Sequence, residues 1–347
     1  MPSVRRRHGE FRDPGVGARG AVRSDSGRRR GAAPELVRKG EHGVKERFVF
    51  ANEVDRALAG RRAIVALETT VVTHGLPHPQ GVQAALQLED DVRQNGAVPA
   101  TIGVADGDVM VGMTRAELES LAAAPGVAKL NLSNFAAVVS AGRPGSTTVA
   151  ATMFAAHHAG IPVFATGGIG GVHRESQETG DVSADLTALS RLPVAVVCAG
   201  AKAILDLPRT VEMLETLGVP VFGLGTGEFP SFYRRESGLP VDHRFDTIEE
   251  LAAAVAAHFA MGMGTGVLVA NPIPEADQMP LAVYTRALGE ALAAAKAEGV
   301  RGRAVTPFLL DRMRTITGGE SVKANLALLR NNAQVAARLA VALAPRG

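Results

Sequence analysis

The amino-acid sequence predicts an α/β fold of three layers, α/β/α, built around a mixed central sheet in a single domain. From Arg47 onward, short runs rich in β-branched residues alternate with helical patterns, which is typical of layered α/β proteins. Asp106 and Gly107 form a strong hairpin-turn signal between two such runs, so at least one pair of strands is antiparallel. No stretch after Arg47 has the composition of a linker, which indicates one domain.

Short apolar runs predict the strands, and most of them are followed by small residues or a polar loop. Strands are predicted over residues 63–67, 101–104, 109–112, 162–166, 194–198, 219–224 and 266–270.

Helical periodicity and capping residues predict the helices. Helices are predicted over residues 81–95, 114–124 and 147–159, and over most of 280–344. Gly96 ends the first of these, and Thr114 with Glu117 forms a capping box that opens the second.

Composition places the chain among globular proteins, because 46% of its residues are hydrophobic. The apolar runs are strand-sized and fall short of the roughly 20 apolar residues that a membrane-spanning helix needs. Cys198 is the single cysteine, so an intramolecular disulfide is excluded. We therefore expect a cytoplasmic protein with no membrane association.

Positive charge is concentrated at the N-terminus. Residues 1–47 carry 13 Lys and Arg against 6 Asp and Glu, whereas residues 48–347 carry 24 against 29. Arg-rich, glycine-rich composition without apolar periodicity predicts a disordered extension over residues 1–46, followed by a catalytic domain over residues 47–347. A basic arm can contact RNA, but a solvated extension explains the same composition, and no nucleic-acid partner is expected.

The carboxyl ends of strands in an open α/β sheet deliver ligand-binding residues. Glu68 follows an apolar run directly, and a carboxyl group in a partly dry setting could donate a proton as a general acid. A carboxylate that caps a helix or pairs with a basic residue explains the same position.

A glycine-rich segment, 166–173, follows another predicted strand and ends at His173. Four glycines allow a close approach to the backbone, but the segment matches neither a phosphate-binding Walker loop nor a dinucleotide fingerprint. His173 is a candidate ligand or acid–base group, or an ordinary loop histidine.

Two carboxylates and a hydroxyl, from Asp181, Ser183 and Asp185, stand at a predicted helix start. Oxygen ligands of this kind suit Mg²⁺ or Mn²⁺. Helix capping by Ser183, with Asp185 in the first turn, accounts for these residues without any metal.

Lys202 follows a buried strand through small residues and is predicted to enter a helix. Desolvation near a helix N-terminus would favour a neutral amine that could attack a carbonyl carbon. An ion-paired or snorkelling lysine is the alternative. Cys198 is interpreted as a small core residue, because no activating partner is apparent.

Several strings together resemble one protein family, the pseudouridine-5′-phosphate glycosidases, also called indigoidine synthase A-like proteins. The resemblance covers roughly residues 50–343, and its strings are ALETTVVTHGLPHPQ (66–80), NGAVPATIGV (95–104), STTVAAT (146–152), FATGGIGGVHR (164–174), DVSADL (181–186), VAVVCAGAKAILDL (194–207), NPIP (271–274), TPFLL (306–310) and TGGESVKANLALLRNNA (317–333).

This resemblance implies reversible cleavage of pseudouridine 5′-phosphate with water to uracil and ribose 5-phosphate. It further implies one divalent cation per subunit, typically Mn²⁺, and a homotrimer. The bond that breaks joins two carbons, so the electrons pass to uracil C5. The family mechanism would place a Schiff base between Lys202 and C1′, with Glu68 delivering the proton.

The resemblance also implies roles for residues beyond this pair. Lys129 would hold the phosphate and Asp181 would bind the metal. The remaining substrate-binding positions implied by the resemblance are Thr147, Thr148, Val149, Ser183, Ala184 and Asp185.

The sequence departs from the family pattern beside Lys129. Residues 130–135 read LNLSNF where the family has a polar stretch with two arginines and an aspartate, and Gly180 and Thr69 replace an aromatic residue and a serine. These changes bear on substrate preference. Two alternatives follow: a related glycosidase or lyase acting on a different nucleoside or sugar phosphate, and an inactive binding protein, which would be expected to lack Lys202 or Glu68.

Overall fold

A computed structural model describes residues 47–76, 79–300 and 305–345 of the chain. The disorder predicted for residues 1–46 therefore lies outside the described residues. From residue 47 onward, the described chain belongs to one compact unit. Within it, one central sheet contains eleven strands: β1 (Phe48–Phe50), β2 (Ile64–Glu68), β3 (Val98–Ala105), β4 (Asp108–Val111), β5 (Ala128–Leu130), β6 (Gly145–Thr147), β7 (Val163–Ala165), β8 (Ala195–Cys198), β9 (Val221–Leu224), β10 (His243–Phe245) and β11 (Val267–Ala270).

The main path of the sheet runs β1-β4-β3-β2-β7-β8-β11-β9-β10, and β6 joins it through β3 and carries β5 on its other side. Pairing is parallel everywhere except between β3 and β4 and between β3 and β6. The predicted mixed sheet is therefore confirmed. Strands β1 and β10 lie at the two ends of this path.

Helices cover the sheet. They are α1 (Asn52–Ala59), α2 (Gln80–Gln94), α3 (Arg115–Ala123), α4 (Phe135–Ser140), α5 (Val149–Ala159), α6 (Ser176–Thr179), α7 (Ala184–Leu189), α8 (Leu207–Thr216), α9 (Ile248–Ala260), α10 (Leu281–Ala297), α11 (Val305–Ile316) and α12 (Glu320–Leu343). Helix α12 packs on β2, β7 and β8 together with α2 and α9, while α5 packs on β2, β3 and β7 together with α7. The central strands are buried by these helices, which explains why they read as continuous apolar runs.

The predicted hairpin is confirmed, because Ala105 pairs with Asp108 across the two-residue turn. Both turn residues, Asp106 and Gly107, have positive φ angles of 52° and 83°. Aspartate and glycine tolerate this left-handed conformation, which the tight hairpin turn requires. The capping box is also confirmed, since Thr114 and Glu117 each accept a hydrogen bond from the other's backbone N–H.

Other boundaries differ from the predictions. Helix α5 begins at Val149 and not at residue 147, because residues 145–147 form β6. Four strands were not predicted at all, namely β1, β5, β6 and β10, and each contains three residues. A run of three residues is too short to show the alternation that identifies a strand.

No helix in the described ranges is long and apolar enough to cross a membrane.

Candidate active site

Strands β2, β7 and β8 are neighbours and run parallel, so their carboxyl ends meet at one edge of the sheet. Glu68 ends β2, Thr166 follows β7, and Lys202 lies four residues beyond the end of β8. All three line one cleft, which encloses about 620 Å³ of space that includes some open solvent.

Two threonine hydroxyls fix the Glu68 carboxylate. Thr70 donates a hydrogen bond to Oε2 and Thr166 donates one to Oε1. The two donors come from different elements, so the carboxylate is held in one orientation at the cleft wall. This arrangement differs from helix capping or pairing with a basic residue, the alternatives that the sequence left open.

Lys129 reaches the same cleft from β5, next to the start of α5. It pairs in register with Ser146 of β6, and β6 leads through Thr148 directly into α5. Lys129, Thr148 and Val149 all line the cleft. The first backbone N–H groups of a helix have no partner within the helix, so a lysine beside a helix N-terminus favours an anion.

Thr147 does not line the cleft, because its side chain is buried behind it. Its hydroxyl donates to the carbonyl oxygen of Ile102 at 2.7 Å, and its backbone N–H donates to Oγ1 of Thr69 at 2.9 Å. Thr69 donates to the same Ile102 oxygen at 2.8 Å. The pair joins the ends of β2 and β6 and so fixes Glu68 relative to Lys129. Direct substrate binding by Thr147 stays a prediction.

The glycine-rich segment is approached closely by protein side chains. A Cβ at Gly170 would lie 2.3 Å from Oγ of Ser183, and one at Gly171 would lie 2.4 Å from Oγ1 of Thr210. A Cβ at Gly168 would lie 2.6 Å from the ring of Phe232. These glycines are therefore required for packing, although Gly167 and Gly168 also line the cleft.

Asp185 joins this glycine segment to α5. Its Oδ2 accepts from the Gly170 N–H at 2.7 Å and its Oδ1 accepts from the Ala150 N–H at 2.9 Å. Ser183 caps α7 and accepts from the Asp185 N–H, as the capping interpretation predicted. Neither residue lines the cleft, and Ala184 does not line it either. Substrate binding by these three residues, which the family resemblance implies, stays a prediction.

Lys202 lies in a turn and not at a helix start, so that part of the prediction was wrong. Its N–H donates to the Ile169 carbonyl oxygen at 3.0 Å, and its own carbonyl accepts from the Leu205 N–H at 3.0 Å. The next helix, α8, begins at Leu207. The side chain is half-buried in the cleft wall. The hydrogen-bonded turn fixes the backbone that carries it.

Cys198 is fully buried, and burial raises the pKa of its thiol to about 12. A thiol that stays protonated is not a nucleophile. The interpretation of Cys198 as a core residue is confirmed.

Asp181 and His173 form a pair outside the lining of the cleft. Oδ2 of Asp181 lies 3.9 Å from Nδ1 of His173. Burial lowers the pKa of His173, the Asp181 charge raises it, and the charges of Lys202 and Lys129 lower it further. The pair is therefore close enough to the cleft to interact electrostatically with both lysines.

Asp181 offers a single, partly exposed carboxylate to a cation. No group of three or more His, Cys, Asp and Glu in the described ranges could hold a metal. Mg²⁺ and similar ions are often bound through one or two carboxylates while retaining several waters. A carboxylate that is 34% exposed, as that of Asp181 is, suits such an ion.

Sequence reasoning missed several residues that line the cleft. His74 lies in a π-helix, Val71–Gly75, at the cleft wall. Phe232 adopts a positive φ of 65° and packs its ring on Gly168. The C-terminal helices contribute five further unpredicted residues, Thr306, Pro307, Leu310, Asn325 and Leu329. Strings containing these five residues were noted in the sequence, but no local pattern assigned them to the site.

Asn332 of α12 links the residues that follow β7 and β11. It is fully buried, and its Nδ2 donates to the Thr166 carbonyl oxygen at 2.8 Å. Its Oδ1 accepts from Nδ2 of Asn271, which follows β11, at 2.8 Å. One amide thus joins the residues after β7 and β11 to the longest helix of the C-terminal segment.

Comparison with known proteins identifies relatives over most of the chain. Residues 53–342 match the family of indigoidine synthase A-like proteins. A pseudouridine-5′-phosphate glycosidase from Methylobacterium nodulans is 55% identical over 294 residues, which cover 85% of this chain and 87% of the relative. The protein of the same name from Caldanaerobacter subterraneus is 50% identical, with 86% of this chain and 97% of the relative covered.

Solved structures show the same fold. The prealnumycin C-glycosynthase AlnA, in complex with ribulose 5-phosphate, superimposes with a TM-score of 0.80 at 40% identity, covering 86% of this chain and 97% of AlnA. An indigoidine synthase A-like protein from Thermotoga maritima gives a TM-score of 0.77 at 36% identity, covering 85% and 95%.

Proposed function

The chain belongs to the indigoidine synthase A-like family, and from this premise we propose that it reversibly cleaves the carbon–carbon glycosidic bond of pseudouridine 5′-phosphate to give uracil and ribose 5-phosphate. It is an enzyme of the glycosidase or lyase type. The observation that carries the proposal is the single cleft lined by Glu68, Lys129 and Lys202, which come from the ends of different strands.

Lys129 and the start of α5 hold the substrate phosphate. The lysine supplies a positive charge, and hydrogen-bond donors come from N–H groups at the start of the helix other than that of Ala150, which donates to Asp185. Thr148 and Val149 line this part of the cleft. A phosphate bound there leaves the sugar free to extend toward Lys202 and Glu68.

Lys202 is the nucleophile. Once the ribose ring opens by breaking the bond between C1′ and O4′, the neutral amine of Lys202 bonds to C1′ and loses a proton. The bond from C1′ to uracil C5 then breaks as the iminium forms. Water then hydrolyses the iminium, which releases ribose 5-phosphate and restores the amine. The turn that fixes the Lys202 backbone to Ile169 keeps the amine at the cleft wall.

Glu68 supplies the proton that uracil C5 needs when it receives the electron pair. The hydroxyls of Thr70 and Thr166 hold its carboxyl group in place for this transfer. A positioned carboxyl is a suitable general acid. In the reverse direction the same carboxylate accepts the proton.

Asp181 would hold one divalent cation, typically Mn²⁺. Such an ion supplies positive charge that stabilises developing negative charge on oxygen. Ser183, Ala184 and Asp185 support the same region through the α7 cap and the bonds of Asp185 to Gly170 and Ala150. We further propose that the enzyme is a cytoplasmic homotrimer. Sedimentation analysis would test the trimeric state.

A second candidate is a glycosidase or lyase that acts on another nucleoside or sugar phosphate. The residues after Lys129 favour it: the Asn131 N–H donates to Oδ1 of Asn134, and Nδ2 of Asn134 donates to the Lys129 carbonyl oxygen. This neutral turn differs from the charged stretch that the family has at these positions. In addition, a relative at 40% identity, AlnA, is named a prealnumycin C-glycosynthase.

Product analysis tests the proposal. Purified protein with Mn²⁺ should release uracil from pseudouridine 5′-phosphate and should leave uridine 5′-phosphate unchanged. Release from uridine 5′-phosphate alone would support the second candidate. Absence of uracil from both substrates would contradict the proposed function.

A further inference from the structure

His74 belongs to the cleft but has no part in the reaction described above. It lies in the π-helix Val71–Gly75, beside Gly75, and lines the wall that also carries Lys129 and Thr148. A π-helix is a rare conformation that is frequently found at functional sites. The close approach of α2 stabilises it, since a Cβ at Gly81 would lie 2.5 Å from the Val72 carbonyl oxygen.

Two hydroxyls surround one ring nitrogen of His74. Nδ1 lies 2.6 Å from Oγ1 of Thr73 and 3.2 Å from Oγ of Ser146. Thr73 donates its hydroxyl proton to Ser146 at 2.8 Å. A hydroxyl has one proton, so with that proton directed to Ser146 the Thr73 oxygen accepts from the imidazole, and we assign the hydrogen to Nδ1 on this basis. The other nitrogen, Nε2, then has a free lone pair.

The surroundings of the imidazole favour its neutral form. Burial lowers the pKa of His74 below its ordinary value, and the positive charge of Lys129 lowers it further. The two hydrogen-bonding contacts of the ring, to Thr73 and Ser146, are both at Nδ1. A neutral imidazole with this tautomer offers one hydrogen-bond acceptor to a ligand.

The neighbouring strand pair links His74 to the anion site. Ser146, which contacts Nδ1, lies directly opposite Lys129 in the register of β5 and β6. A ligand whose anionic group binds at Lys129 therefore places its adjoining atoms near His74. An acceptor at that position selects a ligand that carries a hydroxyl close to its anionic group.

We propose that His74 is a specificity-determining residue whose Nε2 accepts a hydrogen bond from a sugar hydroxyl of the bound sugar phosphate. The inference rests on the proposed function, because it assumes that the cleft binds a sugar phosphate. It assigns a role to the imidazole that differs from phosphate binding, since a phosphate dianion has no proton to donate to Nε2.

Calorimetric titration with two ligands tests this role. Ribose 5-phosphate has hydroxyl donors as well as an anionic group, whereas sulfate at neutral pH is an anion with no donor. His74→Gln places an amide oxygen near the position of Nε2, and His74→Asn places its amide near Nδ1 only. The Asn variant should bind ribose 5-phosphate about tenfold more weakly, because the free energy of one hydrogen bond corresponds to about a tenfold change in affinity. The affinity of the Gln variant should stay within about threefold of that of the wild type. Sulfate binding should be unchanged in both variants.

Parallel weakening of sulfate and ribose 5-phosphate would overturn the inference, because it would mean that His74 acts on the anion. Equal binding of ribose 5-phosphate by all three proteins would overturn it as well. Failure of the wild type to bind ribose 5-phosphate would overturn both the inference and the proposed function. Uracil release tests the proposed function separately, because the titrations need no turnover.

Nitrogen NMR gives a measurement that does not depend on ligand binding. With ¹⁵N-labelled histidine, the signal that disappears in His74→Gln identifies His74. The wild-type signal should report a proton on Nδ1 and a bare Nε2. A proton on Nε2, or on both nitrogens, would overturn the inference.

Discussion

Thr148 and Thr152 lie one helical turn apart at the start of α5, and the hydroxyl oxygen of each is buried without a hydrogen-bond partner among the described residues. A buried hydroxyl without a partner costs about 1–3 kcal/mol of folding free energy. The two differ in position, because Thr148 lines the cleft and Thr152 does not. The two positions therefore separate a buried hydroxyl at the cleft from one that is away from it.

Replacing each threonine with valine should separate stability from binding. Valine has nearly the same shape and removes the unpartnered hydroxyl, so both variants should keep or raise the free energy of unfolding, by up to about 1 kcal/mol. Thr148→Val should nevertheless weaken ribose 5-phosphate binding several-fold, while Thr152→Val should leave it unchanged. Urea unfolding and calorimetry measure the two effects. Equal binding by both variants would mean that the Thr148 hydroxyl does not contact the ligand.

Borohydride reduction in the presence of ribose 5-phosphate should trap a covalent adduct on Lys202. Lys202→Arg should form none, because arginine stays protonated and cannot attack a carbonyl carbon, and turnover should fall by roughly three orders of magnitude or more. Lys129→Arg is the matched control, which should bind the substrate more weakly and still form the adduct. Mass spectrometry locates the modified residue, and an adduct on Lys129 would refute the assigned roles.

Metal removal should abolish uracil release, and Mn²⁺ should restore it. Asp181→Ala should raise the Mn²⁺ concentration needed for half-maximal activity, because it removes the carboxylate that the cation requires. Glu178→Ala, which removes an exposed carboxylate of the neighbouring α6, should not change that concentration. Full activity after exhaustive chelation would contradict the proposed cation.

Glu89 should make stability depend on pH. Burial raises the pKa of its carboxyl group, although Thr101 and Arg93 oppose the shift. A carboxyl group with a raised folded-state pKa stabilises the fold at pH values below its unfolded-state pKa, and this contribution is lost as pH rises through the folded-state pKa. Glu89→Gln should therefore gain stability relative to the wild type between about pH 4 and pH 7.

Urea unfolding at the two pH values measures this gain. Glu53→Gln is the control, because Glu53 contacts the same Arg93 at 2.7 Å but its side chain is 44% exposed. A relative loss of stability in Glu89→Gln at pH 7 would show that the Arg93 ion pair outweighs the burial of Glu89.

Asn332→Leu should destabilise the protein by about 1–3 kcal/mol, because it leaves the Thr166 carbonyl oxygen and the Asn271 amide without their buried partner. Gln94→Leu, an exposed amide replacement at the end of α2, should cost far less. Turnover should also fall, since Thr166 holds Glu68. Denaturant unfolding compares the two variants, and similar losses in both would remove the anchoring role of Asn332.

The strand-end rule predicted much of the site from sequence. Glu68 and Lys202 were expected together because both follow buried runs, and parallel strands bring such positions to one edge. The Lys202 turn was misassigned although a signal was present: Asp206 caps α8 and Pro208 stands in its first turn, which is typical of a helix start.

Other parts of the site had no local signal. His74 lies in a π-helix, whose spacing differs from that of the α-helical and strand patterns used to interpret a sequence. Asn325 and Leu329 reach the cleft from α12, far along the chain from Glu68, so their proximity is a property of packing. The three-residue strands β5 and β6, which bring Lys129 to the cleft, were too short to predict.

The two ends of the main path of the sheet bear on how the protein behaves at high concentration. Each end is a strand of three residues, β1 at one side and β10 at the other, and neither has a further partner on its outer side among the described residues. Three residues expose an edge of about 10 Å. A second chain that added a strand to so short an edge would gain few backbone hydrogen bonds, and short edges are one means by which natural sheets avoid fibre formation.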